Sequence, residues 1–309
     1  MNATMTNGPT LIIIACPTAI GKTAVAIEVA RQLGTQIISA DSRQCYQEMN
    51  IGVARPTPKE LSLVPHHFIA SHSIHQPVNA AYFEGYALGL LQQLFKQHKH
   101  VVAVGGTGLY LKALMQGLDE MPEVPTAIRE QVRQQYEQFG LPWLQQNLLA
   151  NDPDYAQTGE MQNPHRLLRA LEIFLTTGKS IRHFQQAQPK QRPFSTSYYV
   201  PTTPRPHLYQ RINQRVQQMV VQGLEEEARS LYPYKHLQPL QTVGYQEYFD
   251  CFDGKLTNTQ AIEAIAQHTR NYAKRQITWF SKVPDAMQVS ITTPVETAKY
   301  ILQKLAVSV

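Results

Sequence analysis

Apolar positions in the first third of the chain alternate between two textures. Leu11 to Ala15 is a short β-branched run, Ala24 to Leu33 sets apolar residues among good helix formers at helical spacing, and Gln36 to Ala40 returns to a strand pattern. Phe68 to Ser71 predicts another strand, Ala80 to Phe95 a long helix, and Val101 to Val104 a buried strand running into Gly105 and Gly106. Continuous apolar strands separated by helices predict an α/β fold whose parallel sheet is covered on both faces.

Near Met121 the texture changes. Met121 to Pro125 bears proline, and the chain to about Gln188 is rich in Gln, Arg and Leu at helical spacing, with no strand pattern. An all-helical insertion over 121–190 is expected, between a first core segment, 1–120, and a second, 191–309, that ends in helices. Ser197 to Val200 resumes a strand, and helices follow at about 205–231 and 258–281. The Pro and His clusters at 56–77 read as an ordered loop, and no internal repeat is visible.

A length of 309 residues suits about two domains of ~150, and an apolar content of 43% excludes wholesale disorder. The three cysteines, Cys16, Cys45 and Cys251, form no C-x-x-C pair, which excludes a disulfide scaffold and a cysteine zinc site and suits a reducing cytoplasm. The first ten residues carry no basic n-region and the run Leu11 to Cys16 is far short of a membrane span, so neither leader nor anchor is expected. A soluble cytoplasmic protein is the expectation, and nothing suggests more than a monomer. Net charge, 28 − 23 = +5, says little. Its distribution says more: residues 161–220 hold nine Lys/Arg (Arg166, Arg169, Lys179, Arg182, Lys190, Arg192, Arg205, Arg211 and Arg215) against one acid, Glu172. Such a run suits a polyanion, the alternative being a solvated helix face.

The segment Cys16-Pro17-Thr18-Ala19-Ile20-Gly21-Lys22-Thr23 follows the first strand and opens a helix. That is the setting of a phosphate-binding P-loop: backbone N–H groups and the positive helix end face the phosphate, Lys22 neutralises charge and Thr23 offers a hydroxyl to Mg²⁺. Cys16 stands where the leading glycine is usual. A thiol beside Lys22 and a helix amino end is expected to be activated, the alternative being a buried small hydrophobe. An NTPase would end a later strand in Asp, yet Val101 to Val104 runs into glycines. The carboxylate is instead Asp41, at the end of the second strand, where an open parallel sheet faces its ligand; Asp before Ser also caps turns. On a helix through 208–220, at 100° per residue, Leu208, Ile212 and Met219 fall within about 40° and Arg215 lies about 20° outside that arc. That suits a cation aimed into a site, or one snorkelling from the stripe's edge.

With Asp41-Ser42-Arg43-Gln44, Gly105-Gly106-Thr107-Gly108-Leu109-Tyr110 and Lys274-Arg275-Gln276-Ile277-Thr278-Trp279-Phe280 in place, the chain resembles the bacterial tRNA dimethylallyltransferases over nearly its whole length. Further matching blocks are Ile51 to Pro56, His165 to Glu172, Arg215 to Met219 and Val243-Gly244-Tyr245, after which Gln246 stands where a basic residue is frequent. The resemblance implies a P-loop NTPase-like core that holds diphosphate rather than ATP. It implies transfer of a dimethylallyl group from dimethylallyl diphosphate to N6 of adenine 37, beside the anticodon of tRNAs reading codons that begin with U. Asp41 is then the base, Thr107 a channel hydroxyl rather than a plain N-cap, and Arg215 the cation on the leaving group. Contacts to the tRNA anticodon stem-loop are implied for Asp41, Ser42, Arg43, Gln44, Thr107, His165, Arg166, Leu167, Leu168 and Arg169. They are likewise implied for Gln241, Thr242, Val243, Gly244, Tyr245, Gln246, Lys274, Arg275, Gln276, Ile277, Thr278, Trp279, Phe280 and Ser281. Two alternatives stay open: an adenylate dimethylallyltransferase acting on free nucleotide, and a P-loop kinase of small metabolites.

Overall fold

The computed structural model describes residues 8–186 and 188–307; part of the stretch read as lacking a leader, residues 1–7, lies outside them. The described residues form two compact units, one built from the chain up to Met115 and from Gln191 onward, the other from Gln116–Lys190.

The first unit holds six strands, β1 (Thr10–Ala15), β2 (Ile37–Ser39), β3 (His66–His67), β4 (His100–Gly105), β5 (Ser195–Thr202) and β6 (Met287–Ser290), in the order β3-β2-β4-β1-β5-β6. Every neighbouring pair is parallel, with Ala15 opposite Gly105 and Ser39 opposite Val104. The carboxyl ends of β1, β2 and β4 therefore open on one edge, and the segments that follow them carry the P-loop, Asp41 and Thr107. Leu11, Ile12, Ile13 and Ile14 are all fully buried, so both pleats of β1 are covered. Ile12 and Ile14 join Val25, Val29, Val102, Val104, Tyr199 and Ile301 in a core between the sheet and the helices α1 (Lys22–Leu33) and a C-terminal one, Pro294–Val307.

Between β2 and β4 lie α2 (Pro58–Leu63) and α3 (Ala80–Leu94), and β4 leads into α4 (Gly108–Gln116). The second unit is helical: α5 (Thr126–Asn151), α6 (Pro153–Thr158), α7 (Pro164–Thr177) and α8 (Ile181–Phe184). It has its own core, including Val132, Leu144, Leu148, Leu167, Leu171 and Ile173. α5 is interrupted at Gly140, whose φ of 71° is left-handed. The chain then returns to β5 and the helices α9 (Arg205–Val221), α10 (Leu224–Leu231), α11 (Gln246–Phe252), α12 (Asn258–Phe280) and α13 (Pro294–Val307). α12 starts at a full capping box, Thr257 with Gln260. No described helix is long and apolar enough to cross a membrane.

Three expectations are corrected. Phe68 to Ser71 is not a strand: Phe68 and Ala70 have positive φ, and the N–H groups of Ala70 and Ser71 pair with the carbonyls of Gln44 and Cys45 instead. The stretch 56–77 holds a short helix and β3, not only loop. The helix expected over 205–231 is two, broken at Gly223, φ 97°.

Burial lowers the pKa of His66, His67, His72 and His100. Unfolded histidine titrates near 6.5, so below that pH the unfolded chain binds more protons than the folded one. Stability is therefore expected to be full above about pH 6.5 and to fall as pH drops below it. Urea midpoints between pH 7.5 and 5.5 check this; a flat profile contradicts it.

Candidate active site

Leaving β1, the chain packs Cys16, Ala19 and Ile20 against Leu208, Ile212 and Ala273. The left-handed turns of the loop are taken by Ala19, φ 64°, and Gly21, φ 96°. Cys16 is not among the residues with positive φ, so its side chain brings no backbone strain and the glycine usual there is dispensable. Three groups hold the loop from outside. The Thr18 N–H donates to Gln276 Oε1 at 2.9 Å, Arg211 Nε donates to the Ala19 carbonyl at 2.9 Å, and Arg215 Nη1 lies 3.5 Å from Thr18 Oγ1. The Thr18 amide is thus engaged by Gln276 rather than free to face a phosphate. Burial and the neighbouring Arg211 lower the pKa of Arg215.

After β2, the Asp41 carboxylate closes an Asx turn, Oδ1 accepting from the N–H of Arg43 at 3.0 Å and of Gln44 at 3.4 Å. The capping reading of Asp41 is therefore correct, but both bonds fall on one oxygen. Gly105 allows this chain crossing, since a Cβ there would collide with the Ala40 carbonyl. Thr107 Oγ1 accepts from the Ser42 N–H at 3.0 Å and lies 3.3 Å from Ser42 Oγ. It also bonds the Tyr272 side chain. Tyr272 is partly exposed as a residue, yet burial around its hydroxyl pushes the pKa up to about 12, with the Asp41 charge adding to the effect. Tyr272 is therefore a neutral hydroxyl at any physiological pH.

Two cavities, of about 330 and 420 Å³, open here and share Thr18, Lys22, Asp41, Val53, Ala54, Arg215 and Met219. The smaller adds Ser42, Arg43, Tyr272, Arg275 and the segment 241–244 with Gln246, and the larger adds Gly21, Thr23 and residues 55–58. One side of this space carries the P-loop with the cations Lys22 and Arg215, and the other a carboxylate beside hydroxyls and an aromatic ring.

Other residues expected at the site divide by burial. Lys274, Arg275, Thr278 and Trp279 are exposed on α12, Ser281 is exposed just past its end, and Gln241 and Gln246 are exposed elsewhere. Tyr245, Phe280 and Leu167 are interior, so their side chains cannot be direct RNA contacts as expected. Gln276 is also interior, its Nε2 donating to the Gly106 carbonyl at 2.9 Å. Gln44 turns inward, donating to the carbonyls of Val53 at 3.2 Å and Ala54 at 3.0 Å, which leaves it no amide for a base. Ile277 packs against the Cys16 cluster and Leu168 against the core of the helical unit.

Members of the nine-cation run fall in both units, and several are committed to partners within their own unit. Arg192 pairs with Glu84 at 2.6 Å and bonds the carbonyls at the end of α4, while Arg211 and Arg215 face the P-loop. On α7, whose amino end is capped by Asn163, Arg166 pairs with Glu160 at 2.7 Å and Arg169 lies 3.6 Å from Glu172. Sequence reasoning missed the roles of Arg211 and Tyr272. Arg211 precedes Arg215 by one helical turn, and Tyr272 precedes Gln276 by the same interval, a spacing that could have flagged both.

The fold and site define a P-loop α/β protein that pairs a phosphate cradle with a carboxylate rather than with a second metal-binding strand end. Residues 44–283 match the family described as IPP transferase. The chain is 48% identical over 275 residues to the tRNA dimethylallyltransferase of Christiangramia forsetii, covering 89% of this chain and 91% of that one. The crystal structure of the full-length tRNA isopentenylpyrophosphate transferase of Bacillus halodurans shares 32% identity and superposes with a TM-score of 0.71 over 97% of both chains. A eukaryotic dimethylallyltransferase acting on tRNA shares the fold at 24% identity, with a TM-score of 0.77 over 97% of this chain and 78% of that one. The chain belongs to the IPP transferase family.

The activated thiol expected at Cys16 is overturned. Complete burial pushes its pKa up to about 12, outweighing the opposing charges of Lys22 and Arg215. Iodoacetamide on the folded protein is expected to leave Cys16 unmodified under conditions that label the half-buried Cys251. Mass-spectrometric mapping checks this, and alkylation of native Cys16 contradicts it.

Proposed function

We propose that this chain transfers a dimethylallyl group from dimethylallyl diphosphate to N6 of adenine 37 in tRNAs that read codons beginning with U. The observation that carries the proposal is that Asp41 and Lys22 open on the same cavities. The diphosphate takes the P-loop end, met by Lys22, Arg215 and the amino end of α1, where negative charge grows as the C–O bond breaks. Mg²⁺ suits this end because Thr23 lines the larger cavity with its hydroxyl beside the P-loop, and the ion commonly sits on substrate phosphates with one or two protein oxygens. When bound, it spreads the charge of the leaving diphosphate.

At the other end the adenine amine is a weak nucleophile, its lone pair delocalised into the ring. Asp41 Oδ2, which the Asx turn does not use, accepts the N6 hydrogen bond and takes the proton as the new C–N bond forms. Thr107 and Tyr272 supply neutral hydroxyls beside it. Reaching this end requires adenine to leave its stack, at a cost of a few kcal/mol, and the tyrosine ring offers a replacement face. Exposed Arg275, Lys274 and Trp279 on α12 suit the splayed strand. Exposed His165 on α7 suits the stem backbone, as do Arg166 and Arg169, because the exposed Arg166–Glu160 pair is worth at most about 1 kcal/mol and exchanges readily for phosphate, and Arg169 keeps part of its side chain in solvent.

Labelled dimethylallyl diphosphate incubated with a UNN-decoding tRNA, with AMP or with ATP, followed by nucleoside analysis, tests the proposal. Label in tRNA adenine supports it. Label in AMP alone identifies an adenylate transferase, and phosphoryl transfer from ATP identifies a kinase. Asp41→Asn is expected to leave tRNA and diphosphate binding within a few-fold and to cut turnover by about 10²- to 10⁴-fold. Turnover like that of the unaltered enzyme removes Asp41 from the mechanism.

A further inference from the structure

The segment Ile51 to Ala54 walls the two cavities, with Val53 and Ala54 lining both, Gly52 the smaller and Ile51 the larger, and the carboxylate that holds it lies outside them. Glu227, on α10, lines neither cavity, yet four donors converge on its carboxylate. Oε2 accepts the N–H of Asn50 at 3.2 Å and of Ile51 at 2.8 Å, while Oε1 accepts the N–H of Gly52 at 2.9 Å and the Tyr245 hydroxyl at 2.7 Å. Three successive backbone N–H groups make a concave anion seat, filled here by the protein's own carboxylate. Tyr245 is fully buried, and its ring packs so close to Gly52 that a Cβ there would lie 2.5 Å from it. The preceding Gly244 N–H is held in turn by Glu247 Oε2 at 2.8 Å.

The inner side of the wall is tied to the base. Val53 and Ala54 present their carbonyls to Gln44 Nε2, and the Gln44 N–H is one of the two donors closing the Asp41 turn. A continuous path therefore runs from Glu227 through residues 50–54 and Gln44 to Asp41. We propose that Glu227 is a positioning residue for prenyl transfer: with Tyr245 it fixes the wall over Asp41, and through Gln44 it fixes the orientation of that carboxylate. This rests on Asp41 as the base. The requirement is for a group that only accepts, since a carboxamide would turn its NH₂ against one pair of the converging donors.

The test uses the full chain with saturating tRNA and dimethylallyl diphosphate. In Glu227→Gln, turnover per pyrophosphate-binding site is expected to fall by about 10- to 100-fold, the loss that follows misplacing a reacting group by up to an ångström. Affinity for inorganic pyrophosphate, read by calorimetry, should stay within about threefold, because the contacts of Gln276 and Arg211 on the P-loop are untouched. Tyr245→Phe keeps the ring against Gly52 and loses one bond, so a smaller loss in the same parameter is expected. Combining Glu227→Gln with Gln44→Leu should cost less than the product of the single losses, since both act through one path. If Glu227→Gln does not fold, Tyr245→Phe paired with Gln44→Leu carries the same cycle. A lowered melting temperature with unchanged turnover per site, or fold-losses that simply multiply, overturns the proposal. Failure of the unaltered enzyme to prenylate tRNA overturns the functional reading instead.

Discussion

Gln276 joins the two halves of the site with one buried side chain. Its Oε1 accepts the Thr18 N–H of the P-loop and its Nε2 donates to the Gly106 carbonyl beyond β4, so loops from adjacent strands are fixed to a single amide. Each bond contributes only about 1 kcal/mol net, but leaving either backbone partner buried and unpaired costs about 1–3 kcal/mol. The residue also sets the rotation of α12. With Gln276 inward, Ala273 and Phe280 fall into the core, while Tyr272 and Arg275 come to line the cavity. Both ends of the candidate site thus depend on one largely buried side chain at the edge of the smaller cavity.

The remaining supports act in the same manner, through loops rather than on reacting atoms. Arg211 holds the left-handed Ala19, Gln44 holds the wall above the Asp41 turn, and Glu227 holds that wall from behind. All three secure irregular backbone at the carboxyl edge of a parallel sheet, where strand pairing has ended and the chain must find other partners. The P-loop backbone and the cations beside it are thereby held in fixed positions by groups outside the loop.

Features encoded locally were legible. The P-loop could be read because strand, turn glycine, Lys22 and Thr23 are contiguous, and Asp41 because parallel strands share a carboxyl edge. The helical texture after Met121 was legible from spacing, and the six-stranded parallel sheet agrees with the alternation of apolar strands and helices. What failed was orientation. A motif such as Lys274 to Ser281 spans more than two helical turns, so it must place some members inward, and its residue types do not say that Gln276 is one of them. Glutamine is seldom buried unless both ends are paired, and those partners lie 170 and 258 positions away. The same holds for Tyr245, whose partner Glu227 sits on another helix, and for Phe68 to Ser71, whose β-like composition yields to backbone pairing with Gln44 and Cys45. Strand β6 escaped notice because four residues, only one of them buried, carry little pattern.

The central claim is that the P-loop and the Thr107 turn act as one site because Gln276 ties them together. Calorimetric titration of inorganic pyrophosphate into Gln276→Met, which keeps the side chain's length and removes both hydrogen bonds, tests it most directly. Affinity is expected to fall by about tenfold or more, equivalent to at least about 1.4 kcal/mol, with turnover on tRNA reduced further because the Thr107 turn is released as well. Pyrophosphate affinity and turnover both equal to those of the unaltered protein, in a variant that remains folded, would contradict it.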